Sequence, residues 1–303
     1  MTKPRRRVTL YTLVTFLVVS AIGEVDAQIR YDRGQNVAPV FEGWERNPDG
    51  TYDMVFGYMN RNYQEMPDVP IGPNNSFEPG PMDRGQPTRF YTRRQQFVFR
   101  VQVPADWGEK DLIWTLTANG RTDQAFGSLW PNWEIDEGVI KANRGMGANG
   151  APPDNQPPSI TLPSGGNLSV TRPNPLTITV VISDDGIPGP RPRREEPATD
   201  NDDPQAAARA AAARERRRRQ PHPTNQAVVN ARVASETGLG ITWIHYRGPG
   251  SASFTPVSAS VEGGRGGEIQ TSVTFSESGT HVVRAYADDS IITTPLDITV
   301  EVN

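Results

Sequence analysis

Hydrophobic and polar residues alternate with a period of two in several short stretches of this chain. No long stretch carries the 3.6-residue period of an amphipathic helix. Tyr52, Met54, Phe56 and Tyr58 fall on one face of a strand over Thr51 to Asn60. Asn47-Pro48-Asp49-Gly50 stands before it, so Ala38 to Arg46 and Thr51 to Asn60 read as a hairpin. Phe97, Phe99, Val101 and Val103 alternate with Val98, Arg100 and Gln102 until Pro104 ends the run. Leu112, Trp114 and Leu116 alternate again, and Asn119-Gly120 marks the next turn. Residues 61–87, rich in Pro, Gly and Asn, read as a long ordered loop. A loop with Leu129, Trp130, Pro131 and Trp133 leads into a short strand near Ile135. Strands at this spacing predict an antiparallel β-sandwich over residues 36–142.

Residues 143–158 are rich in Gly, Asn and Pro and end in Gln156-Pro157-Pro158, which reads as a linker. A second sandwich is predicted over 159–303. Ile160 and Leu162, then Leu168 and Val170, suggest a first strand broken by Gly165-Gly166. Leu176, Ile178, Val180 and Ile182 alternate up to Asp184-Asp185-Gly186. Further strands are expected at Ile241 to Arg247, Ile269 to Phe275, His281 to Ala287 and Leu296 to Val302. The fold class is therefore all-β: two antiparallel, immunoglobulin-like β-sandwich domains in tandem.

The second half also carries Trp243 followed by Gly248-Pro249-Gly250, then Val273-Thr274-Phe275, Ser278-Gly279-Thr280 and Arg284-Ala285-Tyr286-Ala287-Asp288-Asp289. In these residues, over about 159–303, the chain resembles bacterial immunoglobulin-like domains of the PKD type. The resemblance implies a spacer, or a binding or adhesion module, in an exported protein. Residues 36–142 resemble no family in this way.

Two segments stand outside the sandwich pattern. Lys3, Arg5, Arg6 and Arg7 precede a mostly apolar, uncharged run from Val8 to Gly23, and Val25-Asp26-Ala27 offers a cleavage site. Residues 1–27 thus read as a secretory signal peptide that leaves Gln28 first. The apolar run is shorter than the roughly 20 residues of a membrane-spanning helix; the alternative is an uncleaved anchor. The second segment, 187–226, interrupts the second sandwich with nine Arg and six acidic residues, including Ala206 to Ala213 and Arg214 to Arg219. It reads as a tolerated, disordered insertion, or as a basic arm for an anionic partner.

Composition narrows the chemistry. The chain has no cysteine, which excludes disulfides, thiol catalysis and thiolate metal sites. Its 28 Gly and 28 Pro suit short strands joined by turns. The net charge is −4, and removing residues 1–27 makes the remainder more acidic. That argues against nucleic acid as a partner. No Gly-x-Ser-x-Gly elbow, His-Glu-x-x-His helix or Walker loop is present.

Four candidate sites remain. Asp184, Asp185, Asp288 and Asp289 end strands predicted to run in the same direction. They would gather at one pole, as calcium ligands or as turn formers; no other cofactor is expected. With Trp243 inward, Ile244, Tyr246, Val282 and Tyr286 point outward as an apolar patch that packs on the first sandwich or on a partner. Trp107, Trp130 and Trp133 either stack on sugar rings or close the end of a core. His245 and His281 lie on adjacent predicted strands, as a metal pair or as core residues, and His222 lies in the insertion.

These features point to an exported, non-enzymatic binding, adhesion or scaffold protein. It would be periplasmic, at the cell surface or extracellular, with a protein or glycan partner at the cell envelope and no integral membrane span after cleavage. The alternative is a carbohydrate-binding or carbohydrate-active secreted protein.

Overall fold

The computed structural model describes residues 31–143, 152, 154–189 and 238–303. The expected signal peptide, most of the 187–226 insertion, His222, and residues 144–151 and 153 of the linker lie outside the described residues. No helix among the described residues is long and apolar enough to cross a membrane.

The chain is all-β. The first half comprises β1 (Val37–Arg46), β2 (Tyr52–Asn60), β3 (Asn75–Glu78), β4 (Arg93–Val103), β5 (Leu112–Ala118) and β6 (Arg121–Gly127). Sheet β1-β2-β4 faces sheet β3-β5-β6. The β1–β2 turn closes with Gly50 N–H on the Asn47 carbonyl at 3.0 Å, and Asp49 Oδ1 accepts from Thr51 N at 2.9 Å. Aromatic rings join the two sheets: Phe56 lies 5.2 Å from Phe77, and Phe77 stacks on Trp114 at 5.7 Å.

Two expectations change in this half. Residues 61–87 are not wholly loop, because they contain β3, antiparallel to β5. Four residues are too few for a period of two to stand out. Burial of Phe77 on Trp114 makes this a strand, and Asn75 reinforces it: its Oδ1 accepts from Trp114 Nε1 at 2.9 Å, while its Nδ2 donates to the Val69 and Pro87 carbonyls. The strand expected near Ile135 is instead a single bridge between Trp44 and Glu134, with Ile135 N donating to the Trp44 carbonyl. Pro131 begins a one-turn 3-10 segment there. A short helix, α1 (Glu137–Lys141), follows, capped by Asp136, whose side chain accepts from Val139 N.

The second half comprises β7 (Ser159–Thr161), β8 (Leu168–Val170), β9 (Leu176–Ser183), β10 (Gly240–Arg247), β11 (Ala252–Thr255), β12 (Ser258–Ser260), β13 (Gly266–Phe275), β14 (Gly279–Asp288) and β15 (Thr293–Val302). Sheet β12-β10-β14-β15-β8 faces sheet β11-β13-β9-β7 over a second core around Trp243, Ile178, Val273 and Ile298. The segment expected as one interrupted first strand is two strands in different sheets. β7 pairs with β9, and β8 runs parallel to β15. Gly165 and Gly166, at φ 58° and 68°, turn the chain from one sheet to the other. β11 and β12 escape sequence reading because their Ser- and Ala-rich residues carry little hydrophobic signal.

Residues 32–303 form one compact unit. The reason is visible on β10, buried on both faces from Gly240 to Tyr246. Ile241 and Trp243 face its own core, while Ile244 and Tyr246 are buried outside that core.

Trp114 is fully buried and organises the first core. Trp114→Ala is expected to cost about 3–5 kcal/mol. Urea unfolding of the variant beside the parent chain checks this.

Candidate functional site

The outer face of β10 and β14 is covered by residues 83–98 of the first half. The Tyr246 hydroxyl donates to the Gly85 carbonyl at 2.6 Å, and its own carbonyl accepts from Thr88 N at 3.2 Å and Arg89 N at 3.5 Å. His245 N donates to the Tyr91 hydroxyl at 2.9 Å, and Gly248 N donates to Thr88 Oγ1 at 3.1 Å. Burial pushes the Tyr246 hydroxyl well above its ordinary range and that of Tyr91 up to about 12, so both stay protonated. Ion pairs stand at the rim: Arg247 with Asp83 at 2.7 Å, and Arg89 with Asp68 at 2.8 Å.

At the centre sits Arg284, only 5% exposed. Its guanidinium lies 3.5 Å from the Tyr246 ring centroid. Nε and Nη2 grip Asp297 at 2.5 and 2.8 Å, and Nη1 donates to the Val98 carbonyl of the first half at 2.6 Å. Of the four residues expected to form an outward patch, Ile244 and Tyr246 are buried here, and Val282 and Tyr286 are half-buried on β14. Sequence reasoning missed Arg284. The available signal was a charged residue placed between Val282 and Tyr286 on an otherwise apolar face.

Under this contact His245 and His281 meet, Nε2 to Nδ1, at 3.1 Å. Chemistry fixes their tautomers. The Glu277 carbonyl can only accept, so His281 Nε2 carries a proton and donates to it at 3.1 Å. His281 Nδ1 must then accept from His245 Nε2–H, which leaves the buried His245 Nδ1 as a lone pair without a partner. Burial, followed by the charges of His281 and Arg89, pushes His245 down to about 4, and burial lowers His281 as well. Gly248 permits the pair: at its φ of 123°, a Cβ would stand 2.7 Å from His281 Nδ1. No group of three or more His, Asp or Glu side chains converges as a metal site among the described residues.

The four aspartates play different parts. Asp288 accepts from Ser290 N at 2.6 Å and Thr293 Oγ1 at 3.0 Å. Asp185 accepts from Ile187 N at 2.7 Å and Gln156 N at 2.9 Å. Asp289 Oδ1 takes the Ile291 and Ile292 amides, both at 2.6 Å, and Oδ2 takes the Asn155 amide at 2.9 Å. Asp184 Oδ2 accepts from Gly186 N at 2.8 Å, while Oδ1 is buried with no partner. Burial, reinforced by the charges of Asp289 and Asp185, pushes Asp184 up to about 6.

The tryptophans separate. Trp107 is buried in the first core, and its Nε1 donates to the Lys110 carbonyl at 2.7 Å. Trp130 and Trp133 are 65% and 50% exposed. Their loop is fixed from beneath: Trp44 Nε1 donates to the Trp130 carbonyl at 2.9 Å, and Trp133 lies 5.8 Å from Phe41. Gly43 makes room, because a Cβ there would meet the Trp133 carbonyl at 2.6 Å.

Arg284→Ala removes the buried bond to the Val98 carbonyl and the ring contact with Tyr246, and leaves the half-exposed Asp297 to solvent. It is expected to cost about 2 kcal/mol and to split a single unfolding transition into two, as read by urea titration followed by fluorescence and circular dichroism. The acid response follows from two opposed groups. The depressed His245 withholds stability as pH falls from about 6.5 toward about 4, where the unfolded chain takes protons that the folded chain refuses. The raised Asp184 acts oppositely, because its stabilisation is present when protonated and is lost as pH rises through about 6. Asp184→Asn removes the opposing contribution, so its urea midpoint is expected to fall more steeply than the parent's between pH 6.5 and 4.

No family model matches the chain, and no curated protein matches it. Among solved structures it is similar to domains 4 and 5 of the S-layer protein SbsC, at 8% identity and a TM-score of 0.24, covering 64% of this chain and 65% of that one. It therefore spans just under two thirds of that fragment. It is also similar to the D00-D0 domain of intimin, at 11% identity and a TM-score of 0.25, covering 88% of this chain and 100% of that one. A third likeness is to the N-terminal eight Ig domains of Down Syndrome Cell Adhesion Molecule, at 6% identity and a TM-score of 0.24, covering 88% of this chain and 27% of that one.

Proposed function

We propose that the chain is an exported, non-enzymatic binding or scaffold protein of the cell envelope, with its two sandwiches acting as one rigid piece. The observation that carries this reading is the interface centred on Arg284. A buried guanidinium bridges Asp297 of one sandwich to a main-chain carbonyl of the other, flanked by main-chain hydrogen bonds from Thr88 and Arg89 to Tyr246. Such a contact suits a module that holds a fixed spacing or presents a fixed surface, because relative motion of the halves would strand buried polar groups. The leader-like residues 1–27 supply the export part of the proposal.

A second reading is favoured by one observation, the exposure of Trp130 and Trp133 on a loop held rigid from below. Two exposed indoles on a fixed support offer stacking faces to a sugar, at low entropic cost.

Fractionation of the producing cells is expected to place the chain in the envelope or outside the cell; a cytosolic chain with Met1 intact would overturn the leading reading. A glycan array run with the parent chain and a Trp130→Ala, Trp133→Ala variant separates the second reading. Glycan binding that vanishes in the variant supports the carbohydrate role, and absence of binding in the parent removes it.

A further inference from the structure

The pole where β9 and β14 end has two buried oxygens that the fold itself leaves unused. Asn155 is 3% exposed. Its Nδ2 donates to Asp289 Oδ2, which sets its head group against that carboxylate, yet its Oδ1 is buried with no hydrogen-bond partner. Asp184 Oδ1 is in the same condition. The two residues belong to one neighbourhood: Asn155 Nδ2 bonds Asp289 after β14, and the next residue, Gln156, donates its N–H to Oδ2 of Asp185, the neighbour of Asp184, at 2.9 Å. Neither Asp184 nor Asp289 has an ion-pair partner among the described residues.

A buried acceptor without a donor is destabilising. Two of them beside adjacent carboxylates form an arrangement that a hard cation relieves: it supplies charge to the carboxylates and a ligand contact to each orphaned oxygen. We propose that Asn155, Asp184 and Asp289 form a calcium site, with the amide oxygen of Asn155 and Oδ1 of Asp184 as its two dedicated donors. Asp288 and Asp185 stand outside it. Asp288 has both oxygens committed to Ser290 and Thr293, and Asp185 has both committed to Ile187 and Gln156.

The chemistry favours calcium over the alternatives. All the donors are oxygens, which disfavours soft metals. They come from a linker residue and two strand ends, an irregular set that suits the flexible coordination of calcium better than the strict octahedron of magnesium. No three carboxylates or histidines converge there, so the site is a weak one, with a Kd on the order of 10⁻³ M, as in extracellular modules. Asn155 lies four positions before the first residue of β7, so a cation here would pin the segment leading into the second sandwich to the ends of β9 and β14. A proton competes for the same oxygen of Asp184.

The test uses the purified chain, stripped with chelator and then titrated with calcium chloride or magnesium chloride. Its melting temperature is followed, and the heat of binding is measured in parallel. At 10 mM calcium the melting temperature is expected to rise by about 3 °C, with a smaller rise in magnesium. The calcium response is expected to shrink at pH 5. Asp184→Asn keeps an acceptor for Gly186 N and is expected to lose the calcium response, as is Asn155→Ala; Asp288→Asn is expected to retain it. No calcium response in the parent chain by either measurement, an equal response to magnesium, or an undiminished response in Asp184→Asn would overturn the site.

Discussion

One buried guanidinium lies at the centre of the contact between the two sandwiches. Arg284 leaves water almost completely and is compensated on every side: Asp297 beside it, the Tyr246 ring beneath it, and the Val98 carbonyl from the other sandwich. A charge so placed is tolerated only while all its partners stay in position. The consequence spreads along β10, which is buried on both faces. Residues that would be solvent-facing on an isolated sandwich become interior, and residues 83–92 of the first half, the loop before β4, are held in place by the contact.

The histidine pair lies directly beneath that contact and obeys the same logic. The Glu277 carbonyl dictates the tautomer of His281, and His281 dictates that of His245. The pair is stable as two neutral rings, and a proton placed on His281 Nδ1 would leave two N–H groups facing each other and break the relay. The backbone of His245 also carries the hydrogen bond to Tyr91, so the interior of the second sandwich and the contact with the first share one residue. The far pole is organised differently. There aspartate carboxylates cap turns by accepting main-chain amides, and Asn155 ties the segment before β7 to the end of β14. One end of the second sandwich is thus fixed by hydrophobic and cationic packing, and the other by carboxylates that accept main-chain amides.

Much of this was legible in the chain itself. Period-two alternation identified β2, β4, β5, β9, β10, β13, β14 and β15, because each has one face in a core and the side chains record it. It did not identify β3, β6, β8, β11 or β12 as they are. In β6 only Ala125 and Gly127 are buried, so its seven residues record little hydrophobic alternation. Three or four residues carry no period, and what makes the shorter ones strands is a neighbour distant in sequence, such as Trp114 for Phe77 or β15 for β8. The alternation also placed Ile244 and Tyr246 on the face opposite Trp243. It said nothing of what covers that face, since the covering residues are some 160 positions away.

By itself, the sequence determined the all-β class, the absence of thiol chemistry, the turns at Asn47–Gly50 and Asn119–Gly120, and which residues of the long strands share a face. All of these follow from local backbone preference and side-chain alternation. Only the tertiary structure decided that Trp107 is buried while Trp130 and Trp133 are exposed, and that each of the four strand-end aspartates accepts a main-chain amide in a turn. It alone decided that an arginine lies at the heart of the contact between the sandwiches. Burial and the pairing of charges depend on which distant segments meet, and no local pattern encodes that meeting.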